Sequence, residues 1–412
     1  MLTNTPMMRR DHAMVPSEGR EARLSVSLSG TNLARAGDYN QRIVLQAIRV
    51  AGETTRTALA EITGLTPPTI ANITRHLLQQ KLIVPSGRNT GTRGQPAVRL
   101  TINPDGAFAI GVNLDGDHLT ILLVDLGGQV RYRSTHQQAF TTPDQVVALL
   151  KKAIGAMRDA TPLDDRRVLG IGIALPRQLG DGGERPPTGY EAWAGVDIRH
   201  WIGPALPWPV HVDHEAAAAA IGEARFGSGL TLSSFFYVLI GTGLSGGLVV
   251  DGCYFRGADA RSGAIGSLPD VGAGSPRTVQ DTVSLTALFA RLAEAGHPSV
   301  TVDGLLSDDP TVAAIVARWI EDAARALIEP LVSVHCLIDP GAVLIGGRLP
   351  APLIDRLVIQ LRRGLAQARI PSPAPVLRAR ISDDAAAVGA AILPFLDRVL
   401  PSDAILMQAG RG

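Results

Sequence analysis

The stretch Leu239–Gly252, LIGTGLSGGLVVDG, sets four glycines and a threonine between two runs of strand-forming residues. A glycine-rich hairpin of this kind lets backbone N–H groups approach phosphate oxygens without obstruction by side chains. Gly241, Thr242, Gly243, Gly246 and Gly247 would serve. Glycine also supplies positive φ in an ordinary tight turn. The stretch alone does not separate these readings; its surroundings do.

Residues 107–134, AFAIGVNLDGDHLTILLVDLGGQVRYRS, read as strand, turn, strand, turn, strand, and residues 233–255 repeat the pattern around the opening hairpin. This is an internal duplication, with one glycine-containing hairpin in each of two α/β lobes. Helical periodicity fills the intervals: PDQVVALLKKAIGAM at 143–157, EAAAAAIGEARF at 215–226, the segments 279–296 and 311–338, and a closing helix in DDAAAVGAAILPFLDRVL at 383–400. VLGIGIALP (168–176) reads as a buried strand, and PGAVLIGGRLP (340–350) as a strand with a Gly-Gly turn.

The 412 residues exceed one ordinary core, so two or three domains are expected. Hydrophobic residues make up 45% and aromatics only 4%, so the core must be built from Ala, Val, Leu and Ile. Two cysteines, Cys253 and Cys336, exclude a Cys-rich zinc site and argue against a disulfide scaffold. With no signal-peptide core at the start and no run of eighteen apolar residues, the expectation is a cytoplasmic protein with no membrane partner.

Charge is unevenly distributed. Between Asn40 and Leu100 stand eight basic residues and two acidic ones, on a chain whose net charge is only +1. Within that segment the sequence predicts three short helices and a hairpin. NQRIVLQAIRVAG is the first helix, TTRTALAEITGL the second with Thr55 as its cap, and TPPTIANITRHLLQQKLI the third with Thr66 as its cap. Gly64 turns the chain between the last two, and VPSGRNTGTRGQPAVRLTI supplies two strands around a basic tip. Together they predict a winged helix-turn-helix. Thr69, Asn72 and Arg75 on the third helix are candidates for major-groove contact, and Arg88 and Arg93 on the wing for phosphate or the minor groove. The bland alternative is a helical packing module that contacts another protein.

The segments GVNLDGDHLTILLVDLGGQV, GIGIALP, VHVDHEAAAAAIGEARFG, GTGLSGGLVVDG, DPGAVLIGGRLP and VGAAILPF occur in that order. With the N-terminal module, they resemble the ROK family of repressors, open reading frames and sugar kinases, over residues from about 40 to the end. The resemblance implies an actin-like, hexokinase-like fold of two lobes with a sugar cleft between them. It also implies an oligomeric regulator, a homodimer or homotetramer, that binds double-stranded operator DNA and responds to a sugar or sugar phosphate. The expected division is a tail over 1–37, the DNA-binding domain over 38–103, lobe I over 104–211 joined by the closing helix 384–400, and lobe II over 212–383.

The resemblance also implies where kinase chemistry is damaged. The first phosphate loop of the kinases resembles Asp-x-Gly-Gly-Thr-Lys; this chain has Asn113, Leu114, Asp115, Gly116, Asp117 and His118. The leading carboxylate is an amide, and Asp117 places negative charge beside a phosphate. The catalytic Asp of Asn-Asp-Ala-Asn corresponds to Glu215 in His214-Glu215-Ala216-Ala217, displaced by one methylene. Ala264 and Ser267 stand for a sugar-binding Glu and a zinc-binding His, and the Cys-rich zinc loop is absent, so no zinc and no ATP requirement are expected. Arg177, Tyr190, His214 and Glu215 are the candidate effector-binding residues. Gly241, Thr242, Gly243 and Gly246 are the remnant of the second phosphate loop. The expectation is a repressor with a degenerate sensor; the alternatives are an active sugar kinase with an added DNA-binding module, and a DNA-binding dimer without a ligand.

Overall fold

A computed structural model describes residues 33–402 apart from 89–96, 139–141, 162, 178, 180–189, 259, 274–276, 369, 371–372 and 382–383. The proposed tail up to residue 32, the tip of the predicted wing and Arg93 lie outside the described residues, as does the side chain of Arg88.

The chain opens with helix α1 (Leu33–Ala51), which begins inside the span expected to be a tail. Strand β1 (Glu53–Thr55), helix α2 (Arg56–Thr63) and helix α3 (Pro67–Gln79) follow, then β2 (Ile83–Arg88) and β3 (Val98–Ile102). Thr55 caps α2 by accepting from Ala58 N, and Gly64 ends it at φ 69°, the left-handed conformation that glycine adopts without strain. Thr66 precedes α3 as expected, and its carbonyl accepts from Ile70 N at 3.0 Å, but its side chain makes no capping bond; its hydroxyl meets that of Thr69 at 2.9 Å. The unforeseen β1 pairs with β3, giving an antiparallel sheet of order β1-β3-β2. Val44, Leu45, Ile48, Leu59, Ile70 and Leu77 are its buried stripe.

The body contains two five-stranded sheets of the same design. The first comprises β4 (Phe108–Asp115), β5 (His118–Asp125), β6 (Val130–Gln137), β7 (Val168–Leu175) and β8 (Val210–His214), with α4 (Pro143–Ala160) between β6 and β7 and the short α5 (Ile198–Ile202) before β8. Its order is β6-β5-β4-β7-β8. Helix α6 (Glu215–Phe226) leads to the second sheet: β9 (Phe235–Ile240), β10 (Leu244–Val250), β11 (Cys253–Phe255), β12 (Val343–Gly347) and β13 (Val376–Arg378). Its order, β11-β10-β9-β12-β13, repeats the first. In both sheets the first three strands are antiparallel and the last two pair in parallel. Helices α7 (Gln280–Val283), α8 (Leu285–Glu294), α9 (Pro310–Ile338) and α10 (Ala351–Gln367) cover the second sheet, and α11 (Ala385–Arg398) closes the chain. Because β8 pairs with β7, the first sheet runs to His214, three residues past the expected lobe boundary.

Between the sheets α6 packs on α11. The alanines 216–220 of α6 are wholly buried, and their small side chains let backbones approach closely. A Cβ on Gly389 would lie 1.6 Å from the carbonyl of Ala218, and one on Gly172 of β7 would lie 1.7 Å from that of Ala390. Glu223, buried inside α6, accepts from Ser228 N and Oγ and from the backbone N–H groups of Arg380 and Ile381, and so binds α6 to the segment entering α11.

Candidate functional site

Elements from both lobes converge on a cleft. Strand β4 brings Asn113 and Asp115, two residues apart and so on one face; α6 brings Glu215 at its first turn; the loops after β9 and β12 bring Thr242 and Arg348. The Asp115 carboxylate accepts from Gly116 N at 2.7 Å and from the Thr242 hydroxyl. Its Oδ2 lies 3.5 Å from Thr242 N and 3.7 Å from Arg348 Nη1. The same Arg348 nitrogen donates to Asp117 Oδ1 at 2.7 Å, and His118 Nδ1 meets that oxygen at 3.1 Å. Two residues of the second lobe therefore hold the first-lobe turn that carries Asp115 and Asp117.

The electrostatics follow from this packing. Burial alone would raise the Asp117 carboxyl; its hydrogen bond with His118 and the Arg348 guanidinium outweigh burial and hold it at about 2. Glu215 is only 8% exposed. Burial, reinforced by the Asp115 charge and opposed by Arg348, pushes it up to about 8, which favours the protonated form that can donate. Asn113 lines the same pocket, with its Oδ1 buried and without a hydrogen-bond partner. The ligand atoms of Asp115, Asp117 and His118 lie within 4.8 Å of one another, a spacing that suits a cation, and the Arg348 guanidinium supplies positive charge there. Beside this centre a groove of about 680 Å³ runs between the lobes, with His118, Arg133, Thr135, Asp303 and Arg348 on its walls.

The expected effector residues are distributed around this centre. His214 caps α6, its Nδ1 accepting from Ala217 N at 3.4 Å and its Nε2 lying 3.2 Å from the Tyr254 hydroxyl. Burial, aided by the charge of Arg177, lowers its pKa to about 4, so it is neutral at pH 7. Arg177 donates to the Ala260 carbonyl, and the Tyr190 hydroxyl to the Gly116 carbonyl, which ties Tyr190 to the first hairpin turn. Trp193 is core, with no exposed surface. Gly241–Gly243 form the hairpin turn, closed by Gly241 N on the Gly243 carbonyl at 2.9 Å. Gly246 does not belong to that loop. It lies in β10, where a Cβ would meet Phe236 Cζ at 2.6 Å; Gly247 in the same strand similarly faces the Ala216 carbonyl at 2.7 Å. Both glycines are there for packing.

The sequence reading missed Arg348 and the salt bridge from Arg256 to Asp213, in which Nη1 lies 3.1 Å from Oδ1. Arg348 follows the Gly-Gly turn of PGAVLIGGRLP, and a basic residue directly after a cleft-facing turn was the available signal.

On α3, Asn72 and Arg75 are exposed and bonded to one another, Arg75 Nη1 to Asn72 Oδ1 at 3.1 Å, with Thr69 partly exposed one turn earlier. The inner face is fixed by Thr74, buried and accepting from Arg56 Nε at 2.8 Å. Two arginines counted in the basic segment point the other way. Arg42 Nη1 donates to the carbonyls of Leu396, Asp397 and Leu400 at the end of α11. Arg49 Nη2 donates to the Arg225 carbonyl at 2.6 Å, and its guanidinium lies 4.2 Å from the Phe226 ring centroid, at the end of α6. Burial and then the Arg225 charge lower Arg49 to about 10. Helix α1 thus caps two helices whose first residues line the cleft.

The model of the ROK family matches residues 109–395. The uncharacterized protein y4fQ of Sinorhizobium fredii is 27% identical over 367 residues, covering 86% of this chain and 90% of that protein. The xylose repressor of Bacillus spizizenii is 26% identical over 229 residues, 56% of this chain and 60% of the repressor. A crystal structure of a ROK family transcriptional regulator, a homolog of E. coli MLC, shares the fold with a TM-score of 0.64 at 22% identity, covering 92% of this chain and 100% of its own.

Proposed function

The chain belongs to the ROK family, and from that premise we propose that it is a DNA-binding transcriptional regulator, a repressor of carbohydrate-related genes, in which a degenerate kinase cleft senses a sugar. The module before residue 104 serves as its winged helix-turn-helix, and α3 is the helix that enters the major groove, with Thr69, Asn72 and Arg75 toward the bases, while the assignment of Arg88 and Arg93 to phosphate or the minor groove rests on the sequence alone. Repression of sugar genes is the role carried in the name of the xylose repressor among its relatives.

The observation that carries this reading is the docking of α1 on the ends of α6 and α11. Both helices start at the cleft, with Glu215 and with Ala385 and Ala386, and both end on an arginine of the DNA-binding module. A ligand that favours one arrangement of the lobes acts on the ends of these helices and so on the spacing of two modules in a homodimer. Phosphoryl transfer is disfavoured by the residues present. An amide stands at Asn113, a protonated carboxyl at Glu215, and the turn of Gly241–Gly243 already holds Asp115.

Titration of labelled promoter fragments with the purified protein, with and without a panel of sugars, tests the reading. Specific binding weakened by one sugar is expected, together with no ATP-dependent phosphorylation of any of them. Specific DNA binding that no sugar alters would reduce the protein to a ligand-independent DNA-binding dimer. Phosphorylation at enzyme-like rates would restore the kinase reading.

A further inference from the structure

Resting on the reading of the cleft as a sensor, we infer that its ligand is an unphosphorylated polyol, because the protein's own Asp115 carboxylate occupies the seat that the second-lobe hairpin offers to a phosphate. The hairpin turn at Gly241–Gly243 presents what an anion needs, a backbone N–H and a hydroxyl on Thr242. Asp115 Oδ1 takes the hydroxyl, Asp115 Oδ2 lies 3.5 Å from the N–H, and Arg348, the nearby cation, lies between Asp115 and Asp117. Two carboxylates around one guanidinium leave the seat net negative. A phosphate brought there meets repulsion and finds its donors taken.

The rest of the pocket points to the complementary ligand. Asn113 Oδ1 is a buried acceptor without a partner, on a residue 8% exposed. An unpaired buried acceptor is costly, and a hydroxyl donor relieves it whereas a phosphate oxygen does not. The side-chain oxygens of Asp115 and of the Glu215 carboxyl share that pocket. The nucleotide that kinases of this family use does not fit these residues for the same reason, so the replacement of a loop glycine by Asp115 converts an anion seat into an internal lobe-to-lobe clasp.

The test uses the full-length protein and inorganic phosphate as the probe. Isothermal titration is expected to give no saturable heat with the wild type and saturable binding with Asp115→Gly, an affinity gain of roughly tenfold or more, because the variant empties the seat, releases the Thr242 hydroxyl and leaves Arg348 to Asp117 alone. Asp115→Ala also empties the seat while keeping a Cβ on the strand, and it serves by the same criterion if the glycine variant does not fold. Saturable phosphate binding by the wild type overturns the inference, and so does its absence from the folded variant. A second arm compares glucose and xylose with glucose 6-phosphate as agents of operator release. Release by the phosphate ester alone also overturns it. Failure of every sugar to act counts against the sensor reading, while the phosphate titration still decides whether Asp115 fills the seat.

Discussion

Glu215 shows how one side chain responds to its surroundings. The folded chain holds its pKa near 8 against an ordinary 4.5, mainly through burial. Below the ordinary value both folded and unfolded chains are protonated and nothing changes. Between the two values the unfolded chain releases the proton that the folded chain keeps, so stability falls as pH rises, and the loss is complete above the folded value. Glu215→Gln removes this dependence. Melting temperatures from ~pH 5 to ~pH 8 should show the wild type losing on the order of a few kcal/mol relative to the variant; parallel curves would mean that Glu215 is ionised in the cleft. The pair Asn113 and Glu215 was legible as altered cleft chemistry because each stands at a motif position. The contact between Asp115 and Thr242 was not, since 127 residues separate them and only the superposition of the two hairpin turns brings them together. Arg42 and Arg49 were misjudged for a related reason: charge counting along the chain cannot tell which side of a helix faces a neighbour.

At the scale of elements, the close approach of α6 and α11 depends on the absence of side chains. Gly389→Ala would place a methyl against the Ala218 carbonyl, where nothing can yield except the helix itself. A loss of about 3 kcal/mol in denaturant unfolding is expected, with a comparable loss of the cleft geometry. The coupling of α1 to these helices has its own check. Arg49→Ala removes the donor to the Arg225 carbonyl and the stacking on Phe226, an expected cost of about 1–2 kcal/mol. It should leave operator affinity without ligand within severalfold of wild type while weakening the response to sugar. An unchanged response would show that the signal leaves the cleft by another route. The helices themselves were visible in the sequence as alanine-rich periodic runs. Their bonding to α1 was not, because those bonds run from side chain to backbone carbonyl.

For the whole molecule, the surface proposed to meet DNA is smaller than the basic segment suggests. Arg42 and Arg49 face the body, and Arg99 pairs with Glu53 at 2.9 Å. Arg75, exposed on α3, should therefore matter to the electrolyte dependence of binding and Arg42 should not. Arg75→Ala is expected to lower the slope of log affinity against log salt by about 1, and Arg42→Ala to leave it unchanged. Equal effects of the two would misplace the DNA face. The doubled architecture was plain in the sequence as two hairpin patterns about 125 residues apart by count along the chain, and the two sheets repeat one strand order. The capping of α6 and α11 by α1 has a consequence for anyone who re-engineers such a protein. A cut before residue 104 strips the donors from the carbonyls of residues 225, 396, 397 and 400, leaving the body with frayed helix ends. The first helix is thus common property, and a chimaera that grafts a foreign DNA-reading head onto this body must keep α1 with the body, joining the new sequence only after Ala51.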